Sequence, residues 1–131
     1  MEHMENPRHV LREANSVLRD EGYLFLSTPN ASGLHSRVKF LFVGRFAMFD
    51  DEQYHGIGHI RPLTYWELDK SLNESGFHII QIFFHNNYDL IPKTLGEVVK
   101  LTSSILLSPF VRGVAGGQVI VIIAQKNKVQ H

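Results

Sequence analysis

The sequence predicts an α/β chain, and three observations carry that reading. A helical pattern runs through a glycine turn into a short apolar strand, a second helix with its own glycine stop leads into another, and a third β-branched run lies near the end. Asn6-Pro7 reads as an N-cap followed by proline at the first helical position. Val10, Leu11, Ala14, Val17 and Leu18 then fall on one helix face, and Asp20-Glu21-Gly22 ends it, with Gly22 suited to a left-handed C′ position. Tyr23 to Ser27 is nearly continuous apolar sequence, as expected of a strand buried on both faces in a parallel sheet.

Thr28 to Gly33 is a loop by composition, just past the carboxyl end of that strand, where open α/β sheets place their ligands. A short helix is expected over 34–43, and 44–62, without a steady period, is expected to be a long structured loop. Thr64 to Glu67 reads as a capping box in which the Thr64 hydroxyl and the Glu67 side chain satisfy one another's backbone amides. That helix continues through Leu68 and Leu72 and stops at Gly76. Phe77 to Phe84 is the second strand. Residues 89–108 are partly helical, with Leu95, Val98, Val99, Thr102, Ile105 and Leu106 on one face. Gly113 to Gly117 is a turn, and Gln118 to Gln125 is a third, central strand. The domain is read as 1–125, with a polar tail over 126–131.

Composition narrows the function. At 131 residues the chain fits one domain and is short for a complete two-sided α/β enzyme. Thirteen basic residues balance thirteen acidic ones, so nucleic-acid binding by phosphate neutralisation is not expected. The absence of cysteine excludes a disulfide framework and a cysteine zinc site. The first residues are too polar for a signal peptide, and no apolar run approaches the ~20 residues of a membrane span. The expectation is a cytoplasmic protein.

Three clusters resemble one family. Glu2-His3, Pro7, Leu11-Arg12-Glu13-Ala14 and Val17 to Tyr23 resemble the Glu-His to glycine-turn stretch of class I S-adenosylmethionine-dependent methyltransferases. Ser27-Thr28-Pro29-Asn30 resembles the end of their fifth strand. Gly58 to Thr64, followed by Leu68 and Gly76-Phe77, resembles their entry into the next helix and strand. The likeness is to the ubiquinone-biosynthesis O-methyltransferase type and its relatives, covers nearly the whole chain, and is weak over 86–116. It implies a partial Rossmann-like fold holding strands five to seven, the last antiparallel and inserted between the other two, with flanking helices.

The resemblance also implies what is missing. The family holds its cofactor on a glycine-rich loop after strand one, and no G-x-G-x-G occurs here; Gly113, Gly116 and Gly117 precede a strand rather than follow one. Met1 falls about where strand four ends. The chain is therefore expected to be the C-terminal half of such a domain, through truncation, a late start codon or deliberate fragmentation, with S-adenosylmethionine serving the complete enzyme and not bound by this chain.

Candidate site residues follow by resemblance. Glu2, His3 and His59 match positions that hold Mg²⁺ in some relatives, although a further glutamate of that set is absent; a metal-bound hydroxyl loses its proton more readily. The plainer expectation is that Glu2 and His3, close to a chain end, orient the following helix and are weakly ordered. His59 is the candidate general base. Pro29 and Asn30 are candidate substrate contacts from their position after the strand, though both are turn formers anyway. Arg61, with Arg37, Lys39 and Arg45, could meet an anionic substrate or simply be solvated. The apolar stretch from Leu101 to Val111 suggests a lid or a dimer contact.

The expected function is thus part of a methyltransferase acting on the oxygen of a small molecule or saccharide-type acceptor. The alternative is a non-catalytic dimerisation or interaction module. Strand 23–27, without its parallel neighbour, is expected to expose an apolar edge and to pair with a second copy.

Overall fold

The computed structural model describes residues 1–85, 102, 106 and 116–128, and everything below refers to these. Seven elements follow in order: α1 (Pro7–Val17), β1 (Tyr23–Pro29), α2 (Leu34–Val43), α3 (Asp51–Ile57), α4 (Tyr65–Glu74), β2 (Phe77–His85) and β3 (Val119–Lys126). β3 lies between the other two strands and runs antiparallel to both, so β1 and β2 are parallel to one another. This is the inserted antiparallel last strand that the resemblance implied. A register shift between Ile79 and Gln81 bulges β2 against β3.

The helices begin and end where local chemistry dictates. The Asn6 side chain accepts from the His9 amide at 3.1 Å, and Pro7 follows at the first position, where a missing N–H costs nothing. The α1 terminus differs from expectation. Leu18 is the cap, Glu21 rather than Gly22 takes the positive φ, and Gly22 is needed for proximity instead, since a Cβ there would meet the Arg19 carbonyl at 2.8 Å. Lys126, the last residue of β3, closes this end from below. Its ammonium donates to the carbonyls of Asn15 at 2.9 Å and Leu18 at 2.8 Å, where the partial negative charge of a helix C-terminus favours a cation.

α2 spans the expected residues. The long loop expected over 44–62 is corrected: it contains α3, capped by the Asp50 side chain accepting from Gln53 and ended by Gly58 at φ 74°. This helix has seven residues and buries none of them, so it carries no apolar period to read. The capping box at α4 is half formed. Thr64 accepts from the Glu67 amide at 3.2 Å, but the Glu67 carboxylate turns to Arg61 at 3.0 Å. Gly76 stops the helix with φ 81°.

One face of the sheet makes the core. Leu26, Ile120, Ile122 and Ala124 pack with Leu11 of α1, Leu68 and Leu72 of α4, Leu63 and Phe77, all essentially buried. Burying such side chains contributes roughly 1.5–3 kcal/mol each before entropy is counted. The expectation that β1 is buried on both faces is corrected: Leu24, Leu26 and Thr28 face the helices, while Tyr23 and Phe25 on the other face are 54% and 69% exposed. Of the expected helical stretch 89–108, only Thr102 and Leu106 are described; both are helical and exposed, and the remainder, with most of the 113–117 turn, lies outside the described residues.

Candidate functional site

The first three residues are tied to the segment before α4. The Glu2 carbonyl accepts from the amides of Ile60 and Arg61, both at 3.1 Å, and the Met1 ammonium reaches the Ser27 carbonyl on β1 at 3.5 Å. The weak ordering expected so near a chain end is therefore replaced by a defined position beside the carboxyl half of β1. There Glu2, His3 and His59 converge: one ligand atom from each lies within 4.8 Å of the others, the one group among the described residues with the donors and spacing that could hold a metal ion.

Hydrogen bonding sets which nitrogen of each ring faces the cluster. Nδ1 of His3 contacts the Gly58 carbonyl at 2.9 Å, and Nδ1 of His59 contacts the Met48 carbonyl at 2.8 Å. A carbonyl can only accept, so both Nδ1 atoms carry protons, and the neutral form of each ring offers its lone pair at Nε2. Both Nε2 atoms face Oε1 of Glu2, at 3.5 Å from His3 and 3.8 Å from His59. Donors sharing one ion at bonds near 2.1 Å stand about 3–4 Å apart, and the two distances from Glu2 to the rings fall in that range. Backbone carbonyls fixing the far ring nitrogens are the outer support that metal-bound histidines use.

Burial pushes the Glu2 carboxyl upward, but its hydrogen bond to the Met1 ammonium at 2.9 Å, a backbone hydrogen bond and the ammonium charge outweigh that and hold it below 4.5. The rings of His3 and His59 meet edge to face at 4.9 Å, and Phe49 closes the other side of His59 at 5.5 Å.

Two clefts lie in this region, and His59 lines the second. One, of about 210 Å³, opens at the end of β1 and is polar, lined by Asn30, Lys39, Asp50, Gln53 and Gln118 among others. The second, of about 390 Å³, is aromatic, with Phe40, Phe46, Phe49 and Tyr54 leading to His59. Asp50 borders both, and its carboxylate is held below 3.8 by the Gln53 amide and by Lys39 at 3.0 Å. Sequence reading had not singled out Asp50; its only signal was an N-cap position ahead of Asp51 and Glu52.

The remaining candidates separate. Asn30 lines the polar cleft, but its side chain is committed to backbone, donating to the Gly116 and Gly117 carbonyls at 2.8 and 3.1 Å and accepting from Ser32 at 3.1 Å. Pro29 is buried opposite Val119 and lines neither cleft. Arg61 is held by Glu67 and by the Glu5 carbonyl at 3.2 Å, Lys39 by Asp50, and Arg45 by Asp51 at 2.9 Å. His55 stacks edge-on against Tyr54 and stays outside the cluster, and His78 bonds Asn127 at 2.7 Å.

Over residues 1–82 the sequence matches the model of a methyltransferase domain. The chain belongs to that methyltransferase family. The fold agrees. This methyltransferase chain is similar to a SAM-dependent methyltransferase from Archaeoglobus fulgidus, at 22% identity and TM-score 0.55, covering 95% of this chain and 55% of that one. It is also similar to a structure from Bacillus halodurans C-125 provisionally assigned as a methyltransferase, at 22% identity and TM-score 0.57, covering 97% and 61%. A third, the S-adenosylmethionine-dependent methyltransferase from Mesorhizobium loti, has 14% identity and TM-score 0.50, with 95% and 57% covered. At these identities the likeness is one of fold. The methyltransferase chain spans between 55% and 61% of the length of these structures. No curated protein matches it in sequence. No described helix is long and apolar enough to cross a membrane.

Proposed function

We propose that this chain is the acceptor side of an S-adenosylmethionine-dependent O-methyltransferase, positioning and activating a hydroxyl on a small molecule or saccharide-type acceptor. The observation that supports this is the convergence of Nε2 of His3 and Nε2 of His59 on Oε1 of Glu2, at the aromatic cleft that His59 lines. Three lone-pair donors with no proton among them favour a cation. Two imidazoles and one carboxylate suit Mn²⁺, Co²⁺ or Zn²⁺ better than Mg²⁺, which prefers oxygen donors. Held there, such an ion would lower the pKa of an acceptor hydroxyl.

A second reading rests on the His59–Met48 hydrogen bond. With Nδ1 fixed as a donor, Nε2 of His59 can itself take the hydroxyl proton, and Glu2 at 3.8 Å steadies the imidazolium that results. In either case the chain's own work is to orient the acceptor in a cleft and to remove one proton.

These residues do not fit a site for S-adenosylmethionine itself. The sequence has no glycine-rich loop following a strand, so in this reading the cofactor is held by residues outside this chain. Calorimetric titration tests the proposal. Mn²⁺ should bind and lose at least tenfold in affinity with His3→Ala or His59→Ala, while S-adenosylmethionine should give no heat. Absence of Mn²⁺, Co²⁺ and Zn²⁺ binding would leave the His59 base reading, and tight S-adenosylmethionine binding would overturn the assignment to the acceptor side.

A further inference from the structure

The polar cleft at the end of β1 is walled by charges that cancel. Lys39 of α2 and Asp50, the cap of α3, both line it and meet there, Nζ to Oδ2 at 3.0 Å, each side chain half-buried. Neither group is used up by the other. A lysine ammonium has three protons, and a carboxylate has about four lone-pair positions. Asp50 spends one on Lys39 and one on the Gln53 amide at 3.1 Å, while Lys39 meets no further partner among the described residues. Gln53 and Gln118 add side-chain amides that make no hydrogen bond among the described residues, and each amide can both donate and accept.

Such a wall suits one kind of ligand. An anion would meet Asp50 and a cation would meet Lys39, so neither sign gains from the pair. A hydroxyl both donates and accepts, and adjacent hydroxyls on a ring hold their oxygens roughly 2.8 Å apart, close to the 3.0 Å between Nζ and Oδ2. One hydroxyl can accept from Lys39 while its neighbour donates to Asp50, and both bonds are then charge-assisted. The cleft, about 210 Å³, is smaller than the roughly 300–1,000 Å³ of pockets for drug-sized ligands, which leaves room for a single ring. No phenylalanine, tyrosine or tryptophan is among its described lining residues, so it offers partners for hydroxyls and no stacking surface.

We infer that the polar cleft holds the acceptor by two adjacent hydroxyls on a neutral, sugar-like ring, and that Asp50 is the residue that selects it. The inference rests on reading the chain as the acceptor side of a methyltransferase. Asp50 is the one described residue that lines both clefts. Met48, two residues before it, lines the polar cleft and holds the His59 ring through its carbonyl at 2.8 Å. A diol bound at Asp50 is therefore fixed against the same short segment that orients His59.

NMR titration of the chain tests this, with shifts followed at the amides of Ser36, Gln53 and Gln118. Methyl α-mannopyranoside should bind there, and its 2,3-dideoxy analogue, which keeps no adjacent hydroxyls, should bind at least tenfold more weakly. Asp50→Asn retains a capping side chain for α3, so circular dichroism should be unchanged. Its preference for the neutral glycoside over the 6-phosphate of the same sugar should fall at least fivefold, because Lys39 is left without its counter-charge. Gln118→Ala, which leaves the ion pair intact, should weaken the glycoside without moving that preference. No glycoside binding, equal binding of the dideoxy analogue, or an unmoved preference in folded Asp50→Asn would each overturn the inference. Failure of the chain to bind Mn²⁺ would leave glycoside binding in place, so the two sites are tested separately. Displacement of the glycoside by S-adenosylmethionine would overturn this inference and the acceptor-side reading together.

Discussion

The ring of His59 is anchored by the carbonyl of Met48, a non-glycine residue that the backbone holds at φ 64°. That bond fixes which nitrogen of the ring faces Glu2, so the reactive geometry depends on a loop residue with no chemistry of its own.

The two halves of this ring can be separated by substitution. Asparagine can keep a donor near the Met48 carbonyl while removing Nε2. His59→Asn should therefore stay folded and lose at least tenfold in divalent-cation affinity, as read by calorimetry and a thermal melt. His59→Ala should lose the affinity and also destabilise the loop by about 1–2 kcal/mol.

Glu2 gives a pH signature. Its folded pKa lies below the unfolded value near 4.5, so its contribution to stability is complete above that value and is lost as pH falls through the folded pKa. Thermal melts of the chain and of Glu2→Gln should differ near neutral pH and converge in acid. Because the first lowering influence is the Met1 ammonium, acetylating the amino terminus should shrink the difference.

Asn30 distinguishes a substrate contact from a structural tie. Its three backbone bonds join the end of β1 to the Gly116–Gly117 turn, so Asn30→Ala should cost about 2–3 kcal/mol in urea unfolding. Gly33 nearby tests the same junction. A Cβ there would come 2.7 Å from the Gly117 carbonyl, and Gly33→Ala should destabilise by about 1–3 kcal/mol and distort the polar cleft.

Lys126 should matter more than a surface lysine. Its side chain is 12% exposed and donates to two terminal carbonyls of α1, with Asp20 at 3.6 Å. Lys126→Met, which keeps most of the apolar stem, should cost about 1–2 kcal/mol by denaturant unfolding.

The strands were legible in the sequence because continuous apolar runs bounded by Gly22, Gly76 and Gly117 admit little else. The α2 limits were legible from Gly33 and Gly44. Which face of β1 would be covered was not legible, since an apolar run reads the same whether one side or both is packed. The cluster was legible only through the family likeness. Glu2 and His59 meet because Ile60 and Arg61 donate to the Glu2 carbonyl, and a backbone contact of that kind leaves no spacing to detect. Side-chain commitments were equally silent: nothing in the sequence says that Asn30 spends its amide on Gly116 and Gly117, or that Arg61 turns to Glu67.

The central place of β3 has a consequence for how the chain is made. Tyr23 waits for Gln125, and Phe77 waits for Lys126, so neither β1 nor β2 meets β3 until nearly all the preceding residues have left the ribosome. Helices α1 and α4 can form early from local contacts, but the sheet must close late and across long loops. During that interval the edges that β3 will cover stand ready-made for wrong partners, which makes chaperone demand during synthesis a property of this strand order and not of its final stability.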